Sequence, residues 1–199
     1  MSNTNLKNKK NPCYDYLSDF EYLDHMIPHH KVAVDMSNLI IRKSNNPNIL
    51  EIANKIKWQQ TIEIDVMKWH LSQMKNVKKS NSIINNDNFN LTINEFYNNK
   101  LSSFNGDNSC SLLYFNPDDH MRHYKDMELT DLGYIHHMIP HHQVAIDMSK
   151  RLLNNSDSPL LRGISNKIIR DQEGEIFMMN NMLKNSKGWL NLKSELFNN

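Results

Sequence analysis

Residues 22–40 read YLDHMIPHHKVAVDMSNLI, and residues 134–152 read YIHHMIPHHQVAIDMSKRL. Extended outward at a constant offset of 112, the match runs without a gap from 22–71 to 134–183, with 23 identities in 50 positions. This is an internal duplication, so one repeated unit decides the fold. Within each unit the apolar residues recur every three to four positions, the period of a helix that buries one face.

Each copy reads as two helices. Ser18 and Glu21 form an S-x-x-E capping box for the first helix, and Thr130 caps its counterpart. That helix runs to about Lys43, or to about Asn154 in the second copy. The segments SNNP and SDSP follow, where Asn46 or Ser158 caps and Pro47 or Pro159 takes the first helical position. A second helix then runs to about Lys75 or Lys187. So short a connection forces the two helices antiparallel. Two such hairpins pack most simply as an all-α, ferritin-like four-helix bundle with a pseudo-two-fold axis. The expected layout is a flexible N-terminus over 1–17, a first hairpin over 18–76, an Asn-rich crossover over 77–129, a second hairpin over 130–187 and a tail over 188–199. The crossover has room for short helices near 92–101 and 118–127.

Composition narrows the function. Charge is balanced, 23 Lys and Arg against 22 Asp and Glu, which argues against a nucleic-acid or anionic-membrane footprint. No run approaches the roughly 18–20 apolar residues of a membrane span. The N-terminus lacks the apolar core of a secretory signal. An intracellular setting, whether cytoplasm or the interior of a virion or host cell, is therefore expected over a periplasm. Cys13 and Cys110 belong to no CxxC and read as free thiols, with a single disulfide as the alternative. The chain holds 30 Asn, scattered throughout, but its 10 His and 12 Met are not scattered.

At about 100° per residue, His29, Met36 and the apolar stripe share one face with His25, while Met26 and His30 sit together at its edge. The second copy places His137, His141, Met148, Met138 and His142 likewise. On the following helix Gln60, Glu63 and Met67 point toward the histidines, matched by Gln172, Glu175 and Met179, and His70 lies at the margin. A buried polar group without a partner costs about 1–3 kcal/mol, so these groups must bond to one another, to water or to a metal. Imidazole suits several transition metals and thioether selects Cu(I), so a His/Met set without cysteine leans toward copper. A nearby Glu or Gln would serve as a weak ligand or fix an imidazole tautomer. Pro28 and Pro140 should kink or restart their helices, leaving His29 and His30, or His141 and His142, in a first turn. A further cluster, His120, His123 and Met127 in DDHMRHYKDM, forms a weaker candidate or a solvated loop.

Blander readings stand beside these. A histidine on an apolar helix face is usually a hydrogen-bonded core residue, and a single Met is usually a gap-filler. Glu63 and Glu175 could pair with histidines in a purely structural network. Di-iron chemistry needs Glu-x-x-His on two helices, and the chain has no Glu-x-x-His. There is also no phosphate-binding glycine loop and no nucleophile motif, so an enzyme is not expected.

The paired motifs carry a family resemblance. Met26, His29, His30, Ala33 and Met36 followed by Gln60, Glu63, Ile64 and Met67, and again Met138, His141, His142, Ala145 and Met148 followed by Gln172, Glu175, Ile176 and Met179, resemble the domain of unknown function 305. That resemblance implies a ferritin-like helical bundle, and the characterised members resemble periplasmic copper binders that contribute to copper tolerance. It thus implies copper at these His and Met positions; the thioethers add a preference for Cu(I), and the expected partner is a metal ion, with neither nucleic acid nor membrane. Coordination requires neutral imidazole, so affinity should fall below about pH 6.5. The rival expectation is a structural or interaction bundle with a satisfied core histidine network and no metal.

Overall fold

The computed structural model describes residues 17–81 and 129–197, with side chains described over 17–74 and 129–185. Four helices follow in order: α1 (Asp19–Ile41), α2 (Pro47–Asn81), α3 (Asp131–Leu153) and α4 (Pro159–Phe197). Their starts follow local chemistry. Ser18 Oγ accepts the Glu21 N–H at 3.2 Å while Glu21 Oε2 accepts the Ser18 N–H at 2.9 Å, so two of the unpaired donors of the first turn are satisfied reciprocally. Thr130 Oγ1 accepts the Gly133 N–H at 3.0 Å in the second copy. Pro47 and Pro159 open α2 and α4, where a missing N–H costs nothing.

The hydrogen-bonded and ionic pairs set the topology. Tyr22 meets Ser149, His29 meets His141 and Ser37 meets Tyr134, so α1 and α3 cross antiparallel. Gln59 meets Asp171 and Glu63 meets Lys167, so α2 and α4 also run antiparallel. Together with the hairpins, this forms the expected all-α bundle of two packed hairpins.

The core is layered. One apolar cluster holds Tyr22 and Met26 of α1, Met67 of α2, Met148 of α3 and Ile168 of α4. The other holds Met36 and Ile40 of α1, Ile56 of α2, Tyr134 and Met138 of α3 and Met179 of α4. Between them, buried, lie His29, His30, Gln60 and Glu63 of one hairpin and His141, His142, Gln172 and Glu175 of the other. Each cluster draws on both hairpins, so neither hairpin can bury its own apolar face alone.

Two expectations need correction. Both prolines lie inside unbroken helices, so neither helix restarts and the histidines do not occupy a first turn. One lost backbone bond costs less than exposing the stripe on either side would. Second, α2 and α4 continue past Lys75 and Lys187, to Asn81 and Phe197, so most of 188–199 is helical rather than a tail. The apolar period fades there, but no proline follows to end either helix. The methionines, whose grouping the sequence left open, divide across the hairpins: Met36 parts from Met26 and Met67 and joins Met138 and Met179. The expectations for Cys13, Cys110, His120, His123, Met127 and the short helices of the crossover lie outside the described residues.

Candidate metal centre

The buried polar layer repeats one arrangement. His30 Nε2 donates to Glu63 Oε2 at 2.9 Å, and His142 Nε2 donates to Glu175 Oε2 at 2.7 Å. A carboxylate can only accept, so Nε2 bears a proton in each pair, and in the neutral tautomer Nδ1 carries the lone pair. Both Nδ1 atoms are fully buried, with no hydrogen-bond partner among the described residues. The amides of Gln60 and Gln172, also buried, have no such partner either. Unmatched polar atoms on these four buried side chains of one layer are unusual in a well-packed bundle.

Between these halves, His29 stacks on His141 across the pseudo-two-fold axis, ring centroids 3.7 Å apart and planes tilted by 28°. His141 Nε2 donates to the His29 carbonyl at 3.0 Å. Burial, and then the nearby imidazoles of His30 and His142, push the His29 pKa well below the usual histidine range. His29 thus stays neutral at physiological pH.

Charge enters from the far hairpin. Glu63 Oε1 receives Lys167 Nζ at 2.7 Å, and Glu175 Oε1 faces Lys55 Nζ at 3.5 Å. Burial pushes the Glu63 carboxyl up, but the hydrogen bonds and charges of His30 and Lys167 outweigh it and hold the group below its ordinary value. Burial works against the Lys167 ammonium in the same way, and Asp171 and Glu63 together outweigh it, raising its pKa.

The remaining candidates scatter around this layer. His25 is buried and donates through Nδ1 to the Glu21 carbonyl at 2.5 Å, which leaves Nε2 as its acceptor atom. His137 is half-buried, its ring 5.9 Å from that of His141. His70 is half-buried beside Trp69. Met26, Met67 and Met148 lie in one apolar cluster and Met36, Met138 and Met179 in the other. Among the described residues, no three His, Cys, Asp or Glu side chains come together closely enough to hold a metal ion.

Sequence reasoning missed Lys55, Lys167 and the Tyr–Ser contacts between hairpins. A signal existed, since Asn54-Lys55-Ile56 recurs as Asn166-Lys167-Ile168. Tyr22 Oη bonds Ser149 Oγ and Ser165 Oγ, each at 3.0 Å, and Tyr134 Oη bonds Ser37 Oγ at 2.8 Å. Burial, only partly offset by the two serines, pushes the Tyr22 phenol up to about 12. No helix among the described residues is long and apolar enough to cross a membrane.

Similar proteins share this architecture. A structure described as CopM in the Ag-bound form matches with a TM-score of 0.60 at 24% identity, covering 86% of this chain and 98% of that one. CopM in the Cu(I)-bound form matches at 0.57 and 24%, covering 85% and 97%. A DUF305 fragment from Deinococcus radiodurans matches at 0.53 and 18%, covering 84% and 95%. At these identities the likeness shows the fold. In sequence, the uncharacterized protein L153 of Acanthamoeba polyphaga mimivirus is 39% identical over 59 residues, 30% of this chain, and the match spans 39% of that relative's length. The family model for the domain of unknown function DUF305 matches residues 19–183, through both hairpins and the segment between them, and the chain belongs to that family.

Proposed function

We propose that this protein is a non-enzymatic metal binder that holds copper, preferentially Cu(I), within the bundle. The observation that carries this reading is the pair of buried imidazoles, His30 and His142, each tied to a carboxylate through Nε2 and left with an unpartnered Nδ1. A metal-ligating histidine is commonly held in that way, its second nitrogen fixed by a carboxylate. In this reading Glu63 and Glu175 brace the imidazoles.

The donor chemistry favours a soft ion. The described residues offer no cage of three His, Cys, Asp or Glu, so thioethers must complete any site. Met26, Met67 and Met148 flank one side of the histidine layer and Met36, Met138 and Met179 the other. Neutral imidazole with thioether suits Cu(I). His25, 4% exposed, and the half-buried His137 stand nearer the surface as entry ligands. The CopM structures described as Cu(I)- and Ag-bound support the same soft-ion class, and one described as Cu(II)-bound supports copper in general.

One observation favours the structural alternative. The His30–Glu63 and His142–Glu175 bonds satisfy part of the layer without any metal. The unmatched Nδ1 atoms and Gln60 and Gln172 amides are what that alternative leaves unexplained.

The test is a Cu(I) titration of the metal-free protein against a competing chelator, alongside two variants. One carries Ala at His29, His30, His141 and His142. The other carries Leu at Met26, Met67 and Met148, swaps a core tolerates at under about 1.5 kcal/mol each. Wild type should take up Cu(I) at least about tenfold more tightly than either variant. Equal, weak uptake by all three proteins overturns the reading.

A further inference from the structure

We infer that the two halves of the histidine layer are braced in trans: Lys167 positions His30 through Glu63, and Lys55 positions His142 through Glu175. The contacts divide each carboxylate between the hairpins. Glu63 Oε2 takes the imidazole of its own hairpin at 2.9 Å, and Oε1 takes the ammonium of the other at 2.7 Å. Glu175 does the same with His142 at 2.7 Å and Lys55 at 3.5 Å.

Helix geometry explains why the lysine comes from the other hairpin. Lys55 and Glu63 lie on one helix eight residues apart, about 12 Å along the axis, and cannot meet. Only the antiparallel neighbour α4 brings Lys167 beside Glu63, and by the same symmetry α2 brings Lys55 to Glu175. All three members recur at the repeat offset, His30 with His142, Glu63 with Glu175 and Lys55 with Lys167. The pseudo-two-fold axis thus generates the same contact twice, once for each half of the layer.

The two halves differ in one chemical detail. Lys167 has Asp171 one turn ahead, which binds its ammonium at 2.8 Å, whereas the residue one turn ahead of Lys55 is Gln59. Lys167 is thus held from two sides and Lys55 from one, in keeping with the 2.7 and 3.5 Å separations. Each lysine keeps a buried carboxylate compensated, and each carboxylate keeps its imidazole turned with Nε2 inward and Nδ1 free. A hairpin alone therefore supplies the imidazole and its carboxylate but not the lysine that holds that carboxylate in place.

The consequence for metal rests on the copper reading; the brace itself does not. The experiment uses the full chain in two arms. In metal-free protein, NMR follows the exchange-protected Nε2–H resonances of His30 and His142. Lys167→Met should remove or shift the His30 resonance and spare His142, and Lys55→Met should do the reverse, with the smaller effect. Lys167→Arg should restore most of the His30 signal. In the second arm, Cu(I) affinity is read with one half disabled. In a His142→Ala background, Lys167→Met should weaken uptake about tenfold, the lower range for a group behind a ligand, while Lys55→Met changes it less than twofold. A His30→Ala background should exchange the two lysines.

If each lysine acts on the histidine of its own hairpin, or on neither, the inference is overturned. If the metal-free arm shows the exchange of effects while wild type takes up no copper, the brace stands and the copper reading falls. The metal-free arm uses single surface-side Lys→Met changes, so it decides the question even where a His→Ala background fails to fold.

Discussion

His29 lies against His141, ring centroids 3.7 Å apart, at the point where α1 and α3 cross. Both rings are fully buried, and they belong to equivalent positions of the two repeats. The pseudo-two-fold axis of the bundle thus passes between two imidazoles, and the remaining polar groups are arranged symmetrically outward from it.

That stack couples the hairpins. His29→Ala or His141→Ala should each destabilise the metal-free protein by about 2–4 kcal/mol, as large-to-small changes in a packed core do. The double variant should cost less than the sum, by about 0.5–1.5 kcal/mol, the range for stacked rings. Urea denaturation with an unchanged slope measures both quantities. Strict additivity would mean that the rings touch without interacting.

Stability should depend on pH in two windows. His29 has a folded pKa well below 6.5, so above that value both states are neutral there and it contributes no slope. Below about pH 6.5 the unfolded chain takes up a proton that folded His29 refuses, and stability falls as pH drops. Glu63, depressed from 4.5, adds stability that is fully present above that value and lost as pH falls through its folded pKa. A His29→Gln variant should lose the slope just below pH 6.5 and keep the lower one, as read by urea midpoints across pH.

The Tyr–Ser contacts tie α1 to both helices of the second hairpin. Tyr22→Phe leaves the Ser149 and Ser165 hydroxyls without their buried partner, while Tyr134→Phe leaves Ser37. Each change should cost about 1 kcal/mol or more, with Tyr22→Phe the larger. Thermal melts of the two single variants test that order.

Copper should stabilise the protein by mass action. At Cu(I) one hundred times its dissociation constant, the gain is about 2.7 kcal/mol per site. Zn(II), which does not favour thioether, should raise the melting temperature far less. Changing Met26, Met67 and Met148 to Leu should reduce the Cu(I) shift while moving the metal-free melting point little. An equal response to both ions would remove the thioethers from the site.

Much of this was legible in the chain because it is local or repeated. Ser18 and Glu21 cap α1 through atoms three residues apart, and Pro47 opens α2 through its own missing donor. Helical phase put Gln60, Glu63, His29 and His30 on inward faces, and the duplication repeated every one of them. Phase around a single helix tells which side a residue is on, but not what it meets there.

The sequence by itself determined the two hairpins, their caps, the buried polar faces and the residues of the layer, since these depend on spacing within about ten residues. Only the tertiary structure decided the partners. His29 faces His141 rather than α2, Met36 joins Met138 and Met179, and Glu63 is held by Lys167 from the other hairpin. The physical reason is the antiparallel crossing of α1 with α3 and of α2 with α4. It brings together side chains more than one hundred residues apart, and it arises from the burial of two apolar clusters that neither hairpin can complete alone.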